Sequence, residues 1–440
     1  MKIAVAGTGY VGLVTGTCLA KMGQSVVCVD KDETKIIQLN LGKSPIYEPG
    51  LEAEIVKAKE AGRLRFTMDY TQTYREADVI VVGVATPENA DGSANLHALY
   101  HVCGQIADAI ESPTLVVVKS TVPIGTNDKL AIYFDQILGE DRKNLVEVAS
   151  NPEFLSQGTA LRDTLQAERI VIGTENQEAE DMLTEIYAPF GQPILKMNRR
   201  SAEMVKYASN DFLALKISFV NDIANLCEAV GADIEEVTNG MGADSRIGNR
   251  FLSPGIGYGG SCFPKDTKAL HWLAEEAGYT LKTIRAAIDV NEKQRFKLIQ
   301  AARKDMSQFT GKKIAVLGAT FKPGTDDLRE APSIPNLQLL LGEGADVHVY
   351  DPVGLPNLEK VFGDRLHYSE SVASTLQDAD ACFIFTEWAE IKEMDLGLFQ
   401  TMREPQVYDG RNCFSIKAAE AAGMNYYSIG RARVGGVVFA

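Results

Sequence analysis

The amino-acid sequence predicts an α/β protein: two doubly wound parallel-sheet domains joined by a long central helix and a helical region. Three observations lead there. Short apolar strands alternate with amphipathic helices over the first two hundred residues, helical spacing takes over from about Ser201, and strand–helix alternation restarts at Lys312. Such alternation builds parallel sheets covered on both faces. At 440 residues the chain exceeds what one hydrophobic core supports. The pattern divides it into domains at 1–200, 201–308 and 309–440.

In the first domain the strands are expected at Lys2–Ala6, Ser25–Val29, Val79–Val84, Thr114–Val118, Val146–Ala149 and Ile170–Ile172. In the second, Met204, Val205, Ala208, Phe212, Leu215, Phe219, Ile223 and Leu226 recur at helical spacing up to Gly231. A helix of roughly thirty residues is ~45 Å long, more than one small domain needs. It is therefore expected to connect domains and to offer an oligomer interface. In the third, KKIAVLG, ADVHVYD, ACFIFT and QVYDGR read as strands. No GxGxxG follows the first of them, so this Rossmann-like half is expected to bind something other than a dinucleotide.

Composition narrows the partners. Lys and Arg number 44 against 59 Asp and Glu, a net charge of −15, which disfavours nucleic acid and anionic lipid. No run of eighteen apolar residues suggests a membrane span, and the glycines of MKIAVAGTGYVG argue against a signal peptide. The seven cysteines are scattered and odd in number, with no CxxC pair. A disulfide framework or zinc ribbon needs closer spacing, so a reducing cytoplasm and no metal are expected, with Cys28 and Cys382 as small core residues.

The strand Lys2–Ala6 runs into Gly7-Thr-Gly9-Tyr-Val-Gly12 and then a helical pattern. The first glycine permits the tight turn, the second lets backbone approach a pyrophosphate, and the third allows helix–strand packing. The helix N-terminus then offers free N–H groups to the phosphates. Asp30 ends the second strand, placed to bond ribose hydroxyls and to repel a 2′-phosphate, which predicts NAD over NADP. Thr86 and Thr121 follow later strands, where cofactor contacts occur in such sheets; either is equally an ordinary turn threonine.

The most informative stretch is Gly255-Ile-Gly-Tyr-Gly-Gly-Ser-Cys-Phe-Pro-Lys-Asp266. Four glycines in six residues specify a loop with unusual backbone angles or close backbone approach. Cys262 follows them, and Pro264 suits the first turn of a helix. A thiol near a helix N-terminus beside Lys265 favours the thiolate, the nucleophilic form. Asp266 lies four residues on, as an orienting group or merely as a helix-dipole partner. Alcohol oxidation to an aldehyde needs no nucleophile. Oxidation of the aldehyde to an acid needs an adduct that can release a second hydride, and a thiolate supplies it as a thiohemiacetal. Lys206 and Asn210 share a face of the long helix, either to hold an oxyanion or as a solvated polar stripe. Glu153, at a strand end in NPEFL, either activates water or caps a helix.

With these pieces assembled, the chain resembles the UDP-glucose/GDP-mannose dehydrogenase family over nearly its whole length. The resemblance runs through GTGYVG, VGVATP, KSTVPIGT, NPEFL, EMVKYASN, RIGNRFL, GYGGSCFPKDTKAL, FKPGTDDLREAPS and DGRN. It implies a two-step, NAD-dependent oxidation of UDP-glucose to UDP-glucuronate, with GDP-mannose as the competing substrate. It further implies Cys262 as nucleophile, Lys206 and Asn210 on the oxyanion, Asp266 handling protons, Glu153 assisting thioester hydrolysis and Thr121 placing an ordered water. Cofactor contacts are implied for Gly7, Gly9, Tyr10, Val11, Gly12, Asp30, Lys35, Thr86, Thr121, Glu153, Lys265 and Arg329. Substrate contacts are implied for Glu153, Phe154, Leu155, Lys206, Asn210, Phe251, Tyr258, Gly259, Lys322 and Arg411, with Arg246 reaching into a neighbouring subunit. The family pattern makes the long helix the core of a homodimer. One departure is Ser156-Gln157-Gly158, where many relatives carry an acid before the glycine. A single-hydride β-hydroxyacid dehydrogenase leaves Cys262 and the third domain unexplained, and a noncatalytic sensor would be expected to lack Cys262 or Lys206.

Overall fold

A computed structural model describes residues 1–435, which form two compact units, Met1–Ser209 and the chain from Asn210 onward. The first holds eight strands, β1 (Lys2–Ala6), β2 (Ser25–Val29), β3 (Leu64–Thr67), β4 (Val79–Val82), β5 (Thr114–Val118), β6 (Val146–Ser150), β7 (Ile170–Gly173) and β8 (Ile194–Met197). They are ordered β3-β2-β1-β4-β5-β6-β7-β8. Side chains alternate across a strand, so Ile3 and Val5 of β1 enter one core while Ala4 and Ala6 enter the other. Two buried faces explain why the central strands read as unbroken apolar runs.

The expected strands are all present, and β3 and β8 join them. Both are four-residue edge strands with one buried face or none, too short and too polar to stand out as apolar runs. The expectation of a wholly parallel sheet needs one correction. Strand β7 meets β6 antiparallel, through Ser150 opposite Gly173, and β8 then pairs parallel with β7. A parallel neighbour requires the chain to cross back over the sheet. Residues 151–169 contain only a six-residue helix, Ala160–Leu165, and the chain turns back from the end where β6 finishes.

The second unit holds β9 (Lys313–Leu317), β10 (Asp346–Tyr350), β11 (His367–Tyr368), β12 (Ala381–Ile384), β13 (Gln406–Asp409) and β14 (Asn425–Ser428). Their order, β11-β10-β9-β12-β13-β14, with every pairing parallel, repeats that of the first six strands. The long helix spans Arg199–Val230, 32 residues, and Gly231 closes it at φ +78° with its N–H on the Cys227 carbonyl at 2.8 Å. This is the left-handed stop that glycine provides.

The glycine turn after β1 follows its sequence logic. Helix α1 (Tyr10–Lys21) starts from Gly9. Gly7 has φ +97°, and a Cβ there would lie 2.9 Å from the Gly83 carbonyl oxygen. A Cβ on Gly12 would lie 2.0 Å from the Gly7 carbonyl oxygen. We predict that Gly12→Ala costs about 3 kcal/mol or more, because the clash is with backbone that cannot step aside. A lowered urea midpoint by far-UV circular dichroism is the expected result, and an unchanged midpoint would contradict the packing described.

Candidate active site

In the first unit, Gly9 is the N-cap of α1 without a side-chain cap, and a Cβ there would meet no protein atom within 4 Å. The glycine therefore leaves space in front of a helix N-terminus whose amides have no intrahelical acceptor, the arrangement that suits a pyrophosphate. Tyr10 and Val11 open that helix, and the Tyr10 hydroxyl is anchored on the Tyr47 carbonyl at 2.7 Å. Asp30, beyond β2, accepts from the Thr8 N–H at 2.8 Å, the Thr8 hydroxyl at 2.6 Å and the Asp32 N–H at 3.1 Å. Burial opposes its charge, but these bonds and nearby Lys35 hold the carboxyl below its ordinary range. Asp30 is thus a half-buried acceptor whose charged form its neighbours favour. Thr86 and Thr121 come together, the Thr86 hydroxyl donating to the Thr121 carbonyl at 2.8 Å.

The same unit carries a cavity beyond β6, lined by Lys119, Glu153, Phe154, Leu155, Arg169 and Tyr187. Glu153 and Lys206 form a buried ion pair at 2.9 Å, and the other Glu153 oxygen accepts the Leu155 N–H at 2.7 Å. Arg169 stacks over the Phe154 ring at 4.0 Å. Lys119, which sequence reasoning passed over, is buried with its ammonium on the Asn151 amide oxygen at 2.9 Å. Burial, reinforced by Lys206 and opposed by Glu153, pulls it down to about 8. Glu203 was also missed. It accepts the Asn127 N–H at 2.8 Å and the Gly125 N–H at 2.5 Å, tying the long helix to the turn after Thr121 and capping α2 (Thr126–Leu138).

In the second unit, Cys262 is the N-cap of a helix we number α4, Phe263–Glu276, with the long helix as α3 and Pro264 in its first turn. Its sulfur lies 3.8 Å from the Ser261 hydroxyl. The N-terminal end of a helix favours negative charge placed there. Asp266 is buried in that first turn, accepting the Asn210 amide at 2.7 Å and pairing through its other oxygen with Lys265. Sequence spacing had placed Asn210 with Lys206; α3 carries both, and the partner of Asn210 within its own unit is Asp266.

Side-chain amides hold the glycine loop. Asn291, on α5 (Lys282–Gln294), accepts the Tyr258 N–H at 2.8 Å and donates to the Tyr258 carbonyl at 3.1 Å. Gln294 donates to the Gly255 carbonyl at 2.7 Å, and Asn221 accepts the Gly255 N–H at 2.8 Å. The only available signal was polar amides on otherwise apolar helix faces. Gly259 packs against protein, where a Cβ would lie 2.3 Å from the Glu330 carbonyl oxygen. Tyr258 and Phe251 both pack on the Phe263 ring. Arg411 donates to the carbonyls of Phe385, Gly257 and Phe321, so it braces loops of this unit. Arg329 chelates Asp327, Arg246 pairs with Asp244, and Lys322 lies over the Phe321 ring.

The fold and the glycine cradle define a nicotinamide-dinucleotide oxidoreductase. Residues 1–191 match the NAD binding domain of the UDP-glucose/GDP-mannose dehydrogenase family, 200–293 its central domain and 315–416 its UDP binding domain. The chain belongs to this family. It is 46% identical to UDP-glucose 6-dehydrogenase YwqF of Bacillus subtilis, over 99% of this chain and 98% of that one. Identity to TuaD of the same organism, also a UDP-glucose 6-dehydrogenase, is 47% over 99% and 94%. A solved UDP-glucose dehydrogenase from Pyrobaculum islandicum superposes with a TM-score of 0.90 at 37% identity, covering 95% of each chain.

Asp211, next to Asn210, is buried with no hydrogen-bond partner on either carboxylate oxygen among the described residues. Burial, with Asp266 adding to it and Lys265 opposing, pushes it up to about 8. The folded state therefore binds a proton that the unfolded state releases near 3.8. The favourable contribution is complete below that value and is lost as pH rises towards 8. We predict that Asp211→Asn, which mimics the protonated form, leaves stability little changed at pH 4 and raises it by about 2 kcal/mol at pH 8. Urea midpoints at the two pH values provide the check; a gap that does not widen with pH would contradict a protonated Asp211.

Proposed function

We propose that this chain oxidises the C6 hydroxyl of UDP-glucose to a carboxylate in two consecutive NAD-dependent steps, with Cys262 as covalent nucleophile. The carrying observation is the thiol at the N-cap of α4, one turn from a buried Asp266, in a chain 46–47% identical throughout to UDP-glucose 6-dehydrogenases. NAD, when bound, supplies the acceptor for each hydride. In the first oxidation C6 loses a hydride and its hydroxyl a proton, leaving the aldehyde. The Cys262 thiolate adds to that carbonyl and the oxyanion takes up a proton, giving a thiohemiacetal. Loss of a second hydride and the hydroxyl proton leaves a thioester, and water releases the acid and returns the thiol. One UDP-glucose, two NAD⁺ and one water thus become UDP-glucuronate, two NADH and three protons.

Lys206 and Asn210 are the groups we assign to the developing oxyanion. The Asn210 amide hydrogen bond is directed to Asp266, whose carboxylate suits proton transfer. Glu153, held by Lys206 at 2.9 Å, is assigned to activating the hydrolytic water, with Thr121 placing it. Gly7, Gly9, Tyr10, Val11, Gly12, Asp30, Lys35, Thr86, Lys265 and Arg329 are assigned to the cofactor. Phe154, Leu155, Phe251, Tyr258, Gly259, Lys322 and Arg411 are assigned to the nucleotide sugar. The division at 1–200, 201–308 and 309–440 remains our reading of the domains.

A homodimer formed through α3 is part of this reading. Phe212, Phe219 and Leu226, seven residues apart on one face, are 60%, 48% and 56% exposed, an apolar stripe with the spacing of helix–helix seams. Arg246 then serves the partner's substrate. The seven scattered cysteines, odd in number and without a CxxC pair, support a cytoplasmic setting.

With wild-type protein we expect two NADH per UDP-glucose and no turnover of GDP-mannose. Cys262→Ser is expected to lower acid formation by about 10³-fold or more. One NADH per substrate, or full acid production by the variant, would overturn the covalent reading. Phe219→Asp is expected to convert the dimer to a single chain by light scattering, and a retained dimer would place the interface elsewhere.

A further inference from the structure

Two of the five histidines in the chain stand side by side at the edge of the second sheet, and neither is among the residues assigned above. His348 on β10 and His367 on β11 are direct register partners, so their side chains share a face. Asp346, two residues before His348 on the same strand, shares it too. The rings stack with centroids 4.4 Å apart and planes 20° from parallel. Both present Nε2 to one carboxylate, His348 at 3.2 Å from Oδ2 and His367 at 3.1 Å from Oδ1 of Asp346. One donor atom from each residue falls within 4.8 Å of the others. Lys313, across the ladder from Asp346, donates its ammonium to the Gln377 carbonyl at 2.7 Å and leaves the carboxylate to the histidines.

We propose that Asp346, His348 and His367 form a binding site for one divalent transition ion of the zinc class. Two imidazoles and a carboxylate are the donor set such ions select, and hard alkaline-earth ions do not. Without an ion, each ring reaches the carboxylate as the tautomer that carries its N–H on Nε2. In the other tautomer, with the N–H on Nδ1, both Nε2 lone pairs point to the carboxylate side and are available to an ion. Bonds of ~2.0–2.1 Å to nitrogen require the donors to draw closer by a tilt of the two rings, a movement open to side chains at an exposed sheet edge. Three protein ligands leave at least one position to water, and the ion ties β11, only two residues long, to β10.

The test uses full-length, tag-free protein and Co²⁺ or Zn²⁺. One ion per chain is expected by equilibrium dialysis. The Co²⁺ spectrum should lack the thiolate charge-transfer band that binding at Cys262 would produce. His367→Gln and Asp346→Asn should each weaken binding by at least about tenfold while NADH formation from UDP-glucose stays at the wild-type rate, showing an intact fold. No retained ion in the wild type, a thiolate band, or equal affinity in a His348→Gln/His367→Gln double variant would each overturn the proposal.

Discussion

A segment with four glycines in six residues loses more backbone conformational entropy on folding than a stretch of ordinary residues, and it contains no helix or strand of its own to offset that loss. The loop from Gly255 to Ser261 is ordered by hydrogen bonds from outside it: Asn221 and Gln294 on the backbone of Gly255, Asn291 on both polar groups of Tyr258, and the Arg329 carbonyl on the N–H of Gly260. Each amide side chain is buried, where a lost partner costs about 1–3 kcal/mol per orphaned group. The position of Cys262 at the head of α4 depends on this clamp. The glycines are needed because the Glu330 carbonyl at Gly259 and the Phe321 ring at Gly260 approach too closely for a Cβ.

Charge in the interior follows the same economy of placement. Glu153 and Lys206 satisfy one another, Asp266 takes Asn210 and Lys265, and Glu203 takes the amides at the start of α2. A buried ion pair contributes little net stability but is strongly destabilising when half removed. Side chains held this way are fixed in orientation, which is the requirement for stabilising charge that develops during reaction. Lys119 and Asp211 are buried ionisable groups whose surroundings disfavour their charged forms, and burial pushes the Glu203 and Asp409 carboxyls up as well.

Features written in local spacing were legible from sequence. The glycine turn with Asp30 after the second strand, the long helix ending at Gly231, and Cys262 before Pro264 all depend on contacts within a few residues or one strand–helix unit. Strands β3, β8, β11 and β14 were not, because edge strands of two to four residues carry no periodic apolar signal. The reversal of β7 escaped because strand direction depends on where a loop ends in space. Asn291, Gln294 and Glu203 act across 33 to 78 residues, and an amide or acid on a helix does not announce its distant partner. Gly259 and Arg411 both read as substrate contacts by resemblance, and their contacts within the unit are with protein.

The two sheets share a strand order, and each ends its second strand in an acid with a different fate. Asp30 keeps one face to solvent, whereas Asp351 is buried and accepts from the N–H groups of Ala319, Thr320 and Gly354 and from the Trp388 indole. An acid left partly open in one sheet is a rivet in the other. Anyone wishing to graft dinucleotide recognition onto the second sheet would therefore fail by restoring its missing glycines alone. The rivet would first have to be drawn, and the loop after β9 given another fastening.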